Sequence, residues 1–165
     1  MPVKYKEGVY MTRKFNLRLF IICLFIPLAV GALSTLFTYN NLDIYQEINL
    51  PAFAPPSMLF GIVWTALYVL MGISLYLALN SGKSNKDTIW YFSLQLFFNF
   101  CWPIAFFNLK LFWFAFAWLV VLLYLIIRMI INFWRCDKWA GILQIPYAVW
   151  VAFAGILNLS IAILN

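Results

Sequence analysis

The chain has 165 residues, of which 66% are hydrophobic and 10% charged, with a mean hydropathy of +0.93. A water-soluble globule of that composition would need a mostly apolar surface, so the sequence reads as an integral membrane protein. The net charge of +6 could suggest nucleic acid, but its placement along the chain argues against that partner.

Residues 1–16 form a basic tail carrying Lys4, Lys6, Arg13 and Lys14, expected on the cytoplasmic side and suited to anionic lipid. Residues 17–165 hold five apolar stretches, near Leu17 to Phe37, Ser57 to Leu79, Thr88 to Phe107, Leu111 to Ile131 and Trp139 to Leu164. Each is long enough to cross about 30 Å of hydrocarbon at about 1.5 Å per residue. Continuous apolar runs satisfy their backbone hydrogen bonds internally, so the expected fold is an all-α, five-helix transmembrane bundle. The first run exceeds a typical signal-peptide core and is read as a retained span.

The basic residues sort by side. Arg18 and the tail, Lys83 and Lys86, and Arg128, Arg135 and Lys138 fall at one face, and only Lys110 falls at the other. Ten against one is a strong positive-inside bias, which places the N-terminus in the cytoplasm and Asn165 outside. Cys23, Cys101 and Cys136 are assigned to two spans and a cytoplasmic loop and form no CxxC, so no disulfide is expected. The chain contains no histidine, which removes the commonest zinc and haem ligand, and no metal site is expected.

In the first span Gly31 and Thr35 are four residues apart, the spacing of a helix-packing seam rather than a site. Thr38 to Pro56 is the longest exterior connection, of the length that forms lids and binding surfaces. Pro51, Pro55 and Pro56 stiffen it, and Ser57 opens the second span. Phe60, Trp64, Tyr68 and Met71 then share one helical face.

In the third span Gln95, Asn99, Trp102 and Phe106 share a face, and intramembrane amides demand either a neighbouring helix or a ligand. Pro103 is expected to kink that helix, and the turn at Asn108 to Lys110 makes spans three and four antiparallel neighbours. In the fourth span Arg128 is expected to snorkel to the cytoplasmic interface. Val121, Tyr124 and Arg128 fit a loose cholesterol-contact pattern that arises readily by chance. In the fifth span Tyr147, Trp150, Val151, Ala154 and Asn158 share a site-like face, whereas Ala148, Ala152 and Gly155 form a packing seam. Ala154 leaves room beside the Trp150 indole for a planar ligand or a neighbouring helix. Counted from the exterior ends of their spans, Trp64 lies roughly 10 Å deep and Trp150 roughly 21 Å.

Three separated motifs carry a family resemblance. Leu50-Pro51-x-Phe53-x-Pro55-Pro56 with Phe60, Val63-Trp64-Thr65-x-Leu67-Tyr68 and Met71-Gly72 is the first. Gln95-x-x-x-Asn99-x-x-Trp102 with Phe106-Phe107 is the second, and Pro146-Tyr147-x-x-Trp150-Val151-x-Phe153-Ala154-x-x-Leu157-Asn158 the third. Together they resemble the TspO/MBR family, the tryptophan-rich sensory proteins also called translocator proteins or peripheral benzodiazepine receptors. The resemblance implies a five-helix bundle, often a homodimer, with a pocket under the loop between the first two spans. It implies protoporphyrin IX, haem and benzodiazepine-type compounds as ligands, with no required cofactor.

By motif, the pocket residues are Tyr45, Pro55, Trp64, Tyr68, Gln95, Asn99, Trp150 and Ala154, to which the spacing adds Tyr147. The alternative activity implied is light- and oxygen-dependent porphyrin degradation, with Trp64 and Trp150 as redox-active indoles. Asn49 stands where the family often has a basic residue, Gly61 where proline is common, and Gln144 where an apolar residue precedes Pro146. Leu159-Ser160-Ile161-Ala162 replaces the cholesterol-contact sequence of animal members, so the resemblance is to a bacterial-type member of a bacterial cell membrane.

Overall fold

The computed structural model describes residues 15–165; the tail residues Lys4, Lys6, Arg13 and Lys14 lie outside this range. Asn16 caps the first helix, its Oδ1 accepting from the Leu19 amide at 3.1 Å. Helix α1 (Leu17–Thr38) is followed by a 3-10 turn (Tyr39–Asn41) and the short helix α2 (Ile44–Glu47). After α3 (Ser57–Leu79), α4 (Lys86–Pro103) passes into a π-helical turn (Ile104–Asn108). Helix α5 (Phe112–Cys136), the short α6 (Lys138–Ile142) and α7 (Ile145–Leu164) complete the chain.

Among the described residues, five helical stretches are long and apolar enough to cross a membrane. The expected spans hold, with three refinements. First, Asn85 and Thr88 form a reciprocal capping box, which starts α4 at Lys86, two residues before the expected boundary. Pro103 ends α4, and the chain continues as a five-residue π turn closed by the Leu109 amide donating to the Ile104 carbonyl at 3.1 Å. Second, α5 runs on to Cys136, which therefore ends a helix and is not in a loop. Third, the fifth span is two helices. Pro146 cannot donate to the Ile142 carbonyl, and the chain breaks at Leu143-Gln144 before α7.

Helix α1 packs chiefly on α3, α5 on α4 and α7, and α6 on α3 and α5. A side chain at Gly72 would strike the Leu24 backbone, its Cβ 2.6 Å from the Leu24 Cα, so this glycine lets α1 and α3 touch. Nearer the 38–56 loop the two helices separate, and the space between them becomes a cavity. The core is an apolar cluster in which Met71, Leu122, Ile126, Met129 and Phe133 are fully buried.

Candidate functional site

A cavity of about 710 Å³ lies between the loop end of α1 and α3, within the size range of small-molecule sites. Leu28, Gly31, Ser34, Thr35 and Thr38 of α1 form one wall, and Phe60, Trp64 and Tyr68 of α3 form the opposite one. Asn99, Trp102 and Pro103 of α4, with Phe107, close the back, and Asp43, Tyr45 and Gln46 cover the top.

The 38–56 connection is built rather than slack. The Tyr45 hydroxyl donates to the Pro55 carbonyl at 3.0 Å, and its ring meets Phe60 edge-on at 5.4 Å. Burial pushes the Tyr45 phenol above its ordinary pKa, so it remains a donor at neutral pH. Asn108 reaches Asn41 at 3.0 Å and the Phe37 carbonyl at 2.9 Å, which anchors the loop to the α4 end.

The floor is a directed chain of hydrogen bonds. The Tyr68 hydroxyl donates to Asn99 Oδ1 at 2.6 Å, and Asn99 Nδ2 donates to the Tyr147 hydroxyl at 3.0 Å. Tyr147 donates to Gln95 Oε1 at 2.9 Å, and Gln95 Nε2 donates to the Phe92 carbonyl at 3.0 Å. Links that run in one direction polarise one another in low dielectric. Asn99 has a second Nδ2–H and borders the cavity, so it can address a polar ligand group. Gln95, fully buried with both amide atoms engaged, is the terminus of the chain.

Tyr45, Trp64, Tyr68 and Asn99 thus line one cavity. Gln95 and Tyr147 stand behind Asn99 and fix its orientation. Pro55 contributes the carbonyl that holds Tyr45. Trp150 lies beyond Phe60, with ring centroids 5.8 Å from Phe60 and 5.4 Å from Phe153. Its Nε1 is buried and has no partner among the described residues. Trp64 instead contacts Tyr68 at 5.8 Å and Tyr147 at 6.1 Å. Ala154 is packed into the core, so the space beside it is taken by the bundle.

Spacing alone did not assign the α1 wall to the site. Gly31 and Thr35, read as a seam, both border the cavity, and Gly31 gives way to the Tyr68 ring. The signal was present: Gly31, Ser34, Thr35 and Thr38 form a polar, small face on an otherwise apolar helix, directly below the loop. Trp102 was placed on the correct face but not in the site, and its Nε1 donates to Asn158 Oδ1 at 3.2 Å. Asn158 in turn donates to the Phe112 carbonyl at 2.9 Å, which assigns it a helix-joining role.

A bundle of five helices able to cross a membrane, with an aromatic-walled, loop-covered cavity of small-molecule size, defines a helical integral membrane protein. Residues 23–164 match the TspO/MBR family model. The chain is 36% identical over 140 residues to the tryptophan-rich protein TspO of Archaeoglobus fulgidus, covering 84% of this chain and 91% of that one. It is 34% identical over 148 residues to the protein of the same name from Chlorobaculum tepidum, covering 87% and 94%. With the translocator protein homolog of Schizosaccharomyces pombe it shares 34% identity over 134 residues, covering 78% and 81%. The chain belongs to the TspO/MBR family.

Proposed function

We propose that this protein is a membrane receptor, sensor or transporter that binds porphyrins, protoporphyrin IX or haem, and benzodiazepine-type compounds in the cavity beneath the 38–56 loop. The observation that carries the reading is the cavity itself. Trp64, Tyr68, Trp102, Phe60 and Phe107 offer flat apolar faces around about 710 Å³, with Asn99 at the floor. The names of its relatives, sensory and translocator proteins, are consistent with such a role.

The cavity lining contains Asp43 and no Lys or Arg among the described residues. Ligand carboxylates are therefore met by hydroxyl and amide donors or left at the mouth, and stacking carries the affinity. Degradation of the macrocycle would call on Trp64 at the cavity edge and on Trp150 behind Phe60. Protoporphyrin IX titrated into purified protein should quench indole fluorescence saturably, with unchanged pigment recovered in darkness. Absence of saturable quenching would overturn the reading, and loss of pigment under light and oxygen that outpaces the bleaching of free protoporphyrin IX and is slowed in Trp64→Phe would establish the enzymatic alternative.

The proposed setting is a bacterial cell membrane, with the N-terminus cytoplasmic and Asn165 outside. A homodimer is proposed as well. A Cβ at Gly155 would meet nothing within 4 Å, so the small face of Ala148, Ala152 and Gly155 has space for a second copy.

A further inference from the structure

Arg128 does not extend toward the nearer membrane boundary as its sequence position suggests. Its Nη1 donates to the Tyr124 hydroxyl at 3.2 Å and its Nη2 to the Tyr91 hydroxyl at 3.1 Å. The guanidinium carbon sits 5.5 Å from the Tyr91 ring centroid and 5.9 Å from that of Tyr124. Tyr124 is one helical turn further from the Cys136 end, so the clasp draws the charge inward.

The depth follows from α5. Trp113 and Trp134 are both exposed and stand 21 residues apart, about 32 Å along the helix, the thickness of a hydrocarbon core with an aromatic belt at each boundary. Arg128 lies six residues inside Trp134, about 9 Å from that belt. It is exposed on the membrane face, flanked by exposed Val121, Ile127 and Ile131. Among the described residues its polar partners are the two tyrosine hydroxyls. A guanidinium has five N–H donors, and three remain after these bonds. An unpaired charge at this depth is expensive, and bilayers relieve it by bringing headgroups to the charge.

We propose that Tyr91, Tyr124 and Arg128 form a binding site for one anionic phospholipid, whose phosphodiester oxygens accept the remaining guanidinium donors. The planar fork matches a phosphate in two-point contact, and the tyrosines hold it at fixed orientation. The exposed aliphatic residues beside it receive the acyl chains. Lys86, Arg135 and Lys138 crowd the same end of the bundle and favour a net negative headgroup over a zwitterionic one. None of Tyr91, Tyr124 and Arg128 borders the cavity between α1 and α3, and the site stands independently of what that cavity binds.

Native mass spectrometry of the purified, delipidated protein titrated with phosphatidylglycerol or phosphatidylcholine tests this. The parent should retain one phosphatidylglycerol, preferred at least tenfold over phosphatidylcholine. Arg128→Gln should lose that preference, Lys110→Gln at the opposite end of the bundle should keep it, and inorganic phosphate alone should not compete. Tyr91→Phe with Tyr124→Phe, which keeps the charge and much of the packing, should weaken retention several-fold, and this variant decides the matter should Arg128→Gln fail to fold. Equal phosphatidylglycerol retention by the folded Arg128→Gln variant, or by the tyrosine double variant, would overturn the proposal. Competition by inorganic phosphate would assign the arginine to a free anion, and conversion of a dimer to monomer by Arg128→Gln would assign it to a second copy; either result overturns it.

Discussion

Asn49 and Asn165, 116 positions apart, hold each other by their side chains and backbones. The Asn49 amide donates to Asn165 Oδ1 at 2.9 Å, and Asn165 Nδ2 donates to the Asn49 carbonyl at 3.1 Å. The contact resolves the depths of the two tryptophans. Trp150 is fourteen residues from the end of α7, whereas its ring partner Phe60 is three residues from the start of α3. Helix α7 therefore overshoots the first turn of α3 by about 16 Å, rising beside the proline loop and clamping it. The indole placed deeper by counting lies at the level of Phe60, one turn nearer the loop than Trp64.

Asn165→Ala removes this clamp and should loosen residues 48–56. Two exposed hydrogen bonds place the stability loss at about 1 kcal/mol. Faster proteolysis or amide exchange in the loop, with the transmembrane helices unaffected, is the expected readout. Unchanged loop exchange would show that Tyr45 and the prolines hold the loop alone.

Gly31→Ala places a methyl group where the Tyr68 ring now lies, its Cβ overlapping the nearest ring carbon. The ring must swing into the cavity or α1 must retreat, at about 1–3 kcal/mol. Thermal stability and porphyrin affinity should both fall. Gly61→Ala, inside α3 and with no atom within 4 Å of its Cβ, should leave stability unchanged or raise it by up to about 1 kcal/mol. Similar effects of the two variants would contradict the close Gly31 to Tyr68 contact.

Gln95 and Asn99, adjacent links in one chain, should separate on substitution. Gln95→Leu leaves the Tyr147 hydroxyl without its acceptor and should lower stability by about 1 kcal/mol with a small effect on affinity. Asn99→Leu removes a cavity-lining amide, so its affinity loss should exceed that of Gln95→Leu, as read by parallel melting curves and ligand titrations.

Trp64→Ala should weaken porphyrin binding by about 1–3 kcal/mol, because an indole face bordering the cavity is lost. Trp150→Ala should act mainly on stability, through its packing with Phe60 and Phe153. Fluorescence titration of each variant checks the split, and a larger affinity loss in Trp150→Ala would place the ligand on the α7 side of Phe60.

For topology, cysteine substituted at the exposed Glu47 should react with an impermeant thiol reagent on intact cells, and cysteine at exposed Ser84 should react only after lysis. Native Cys136 is a poor reporter because it is 4% exposed and its thiol meets Thr88 Oγ1 at 3.6 Å. The reverse pattern would overturn the proposed orientation.

The sequence by itself determined the membrane solvent, the five spans and the inward faces. Each is fixed by local quantities: run length against bilayer thickness, and the 3.6-residue period that aligns Gln95 with Asn99 and Tyr147 with Asn158. The family motifs added Tyr45 and Trp64 to a common site, and both border one cavity. What only the tertiary structure decided was how those faces meet. Trp64 and Trp150 fall on different sides of Phe60 because α7 slides about 16 Å past α3, an offset set by the Asn49 to Asn165 contact and the Pro146 break. Gly31 became a cavity wall because Tyr68, on another helix, needs its missing side chain. Arg128 turned inward because two tyrosines, one of them on α4, offer it hydroxyls and ring faces. Axial offsets and cross-helix partners depend on contacts distant in sequence, and helical periodicity carries no information about them.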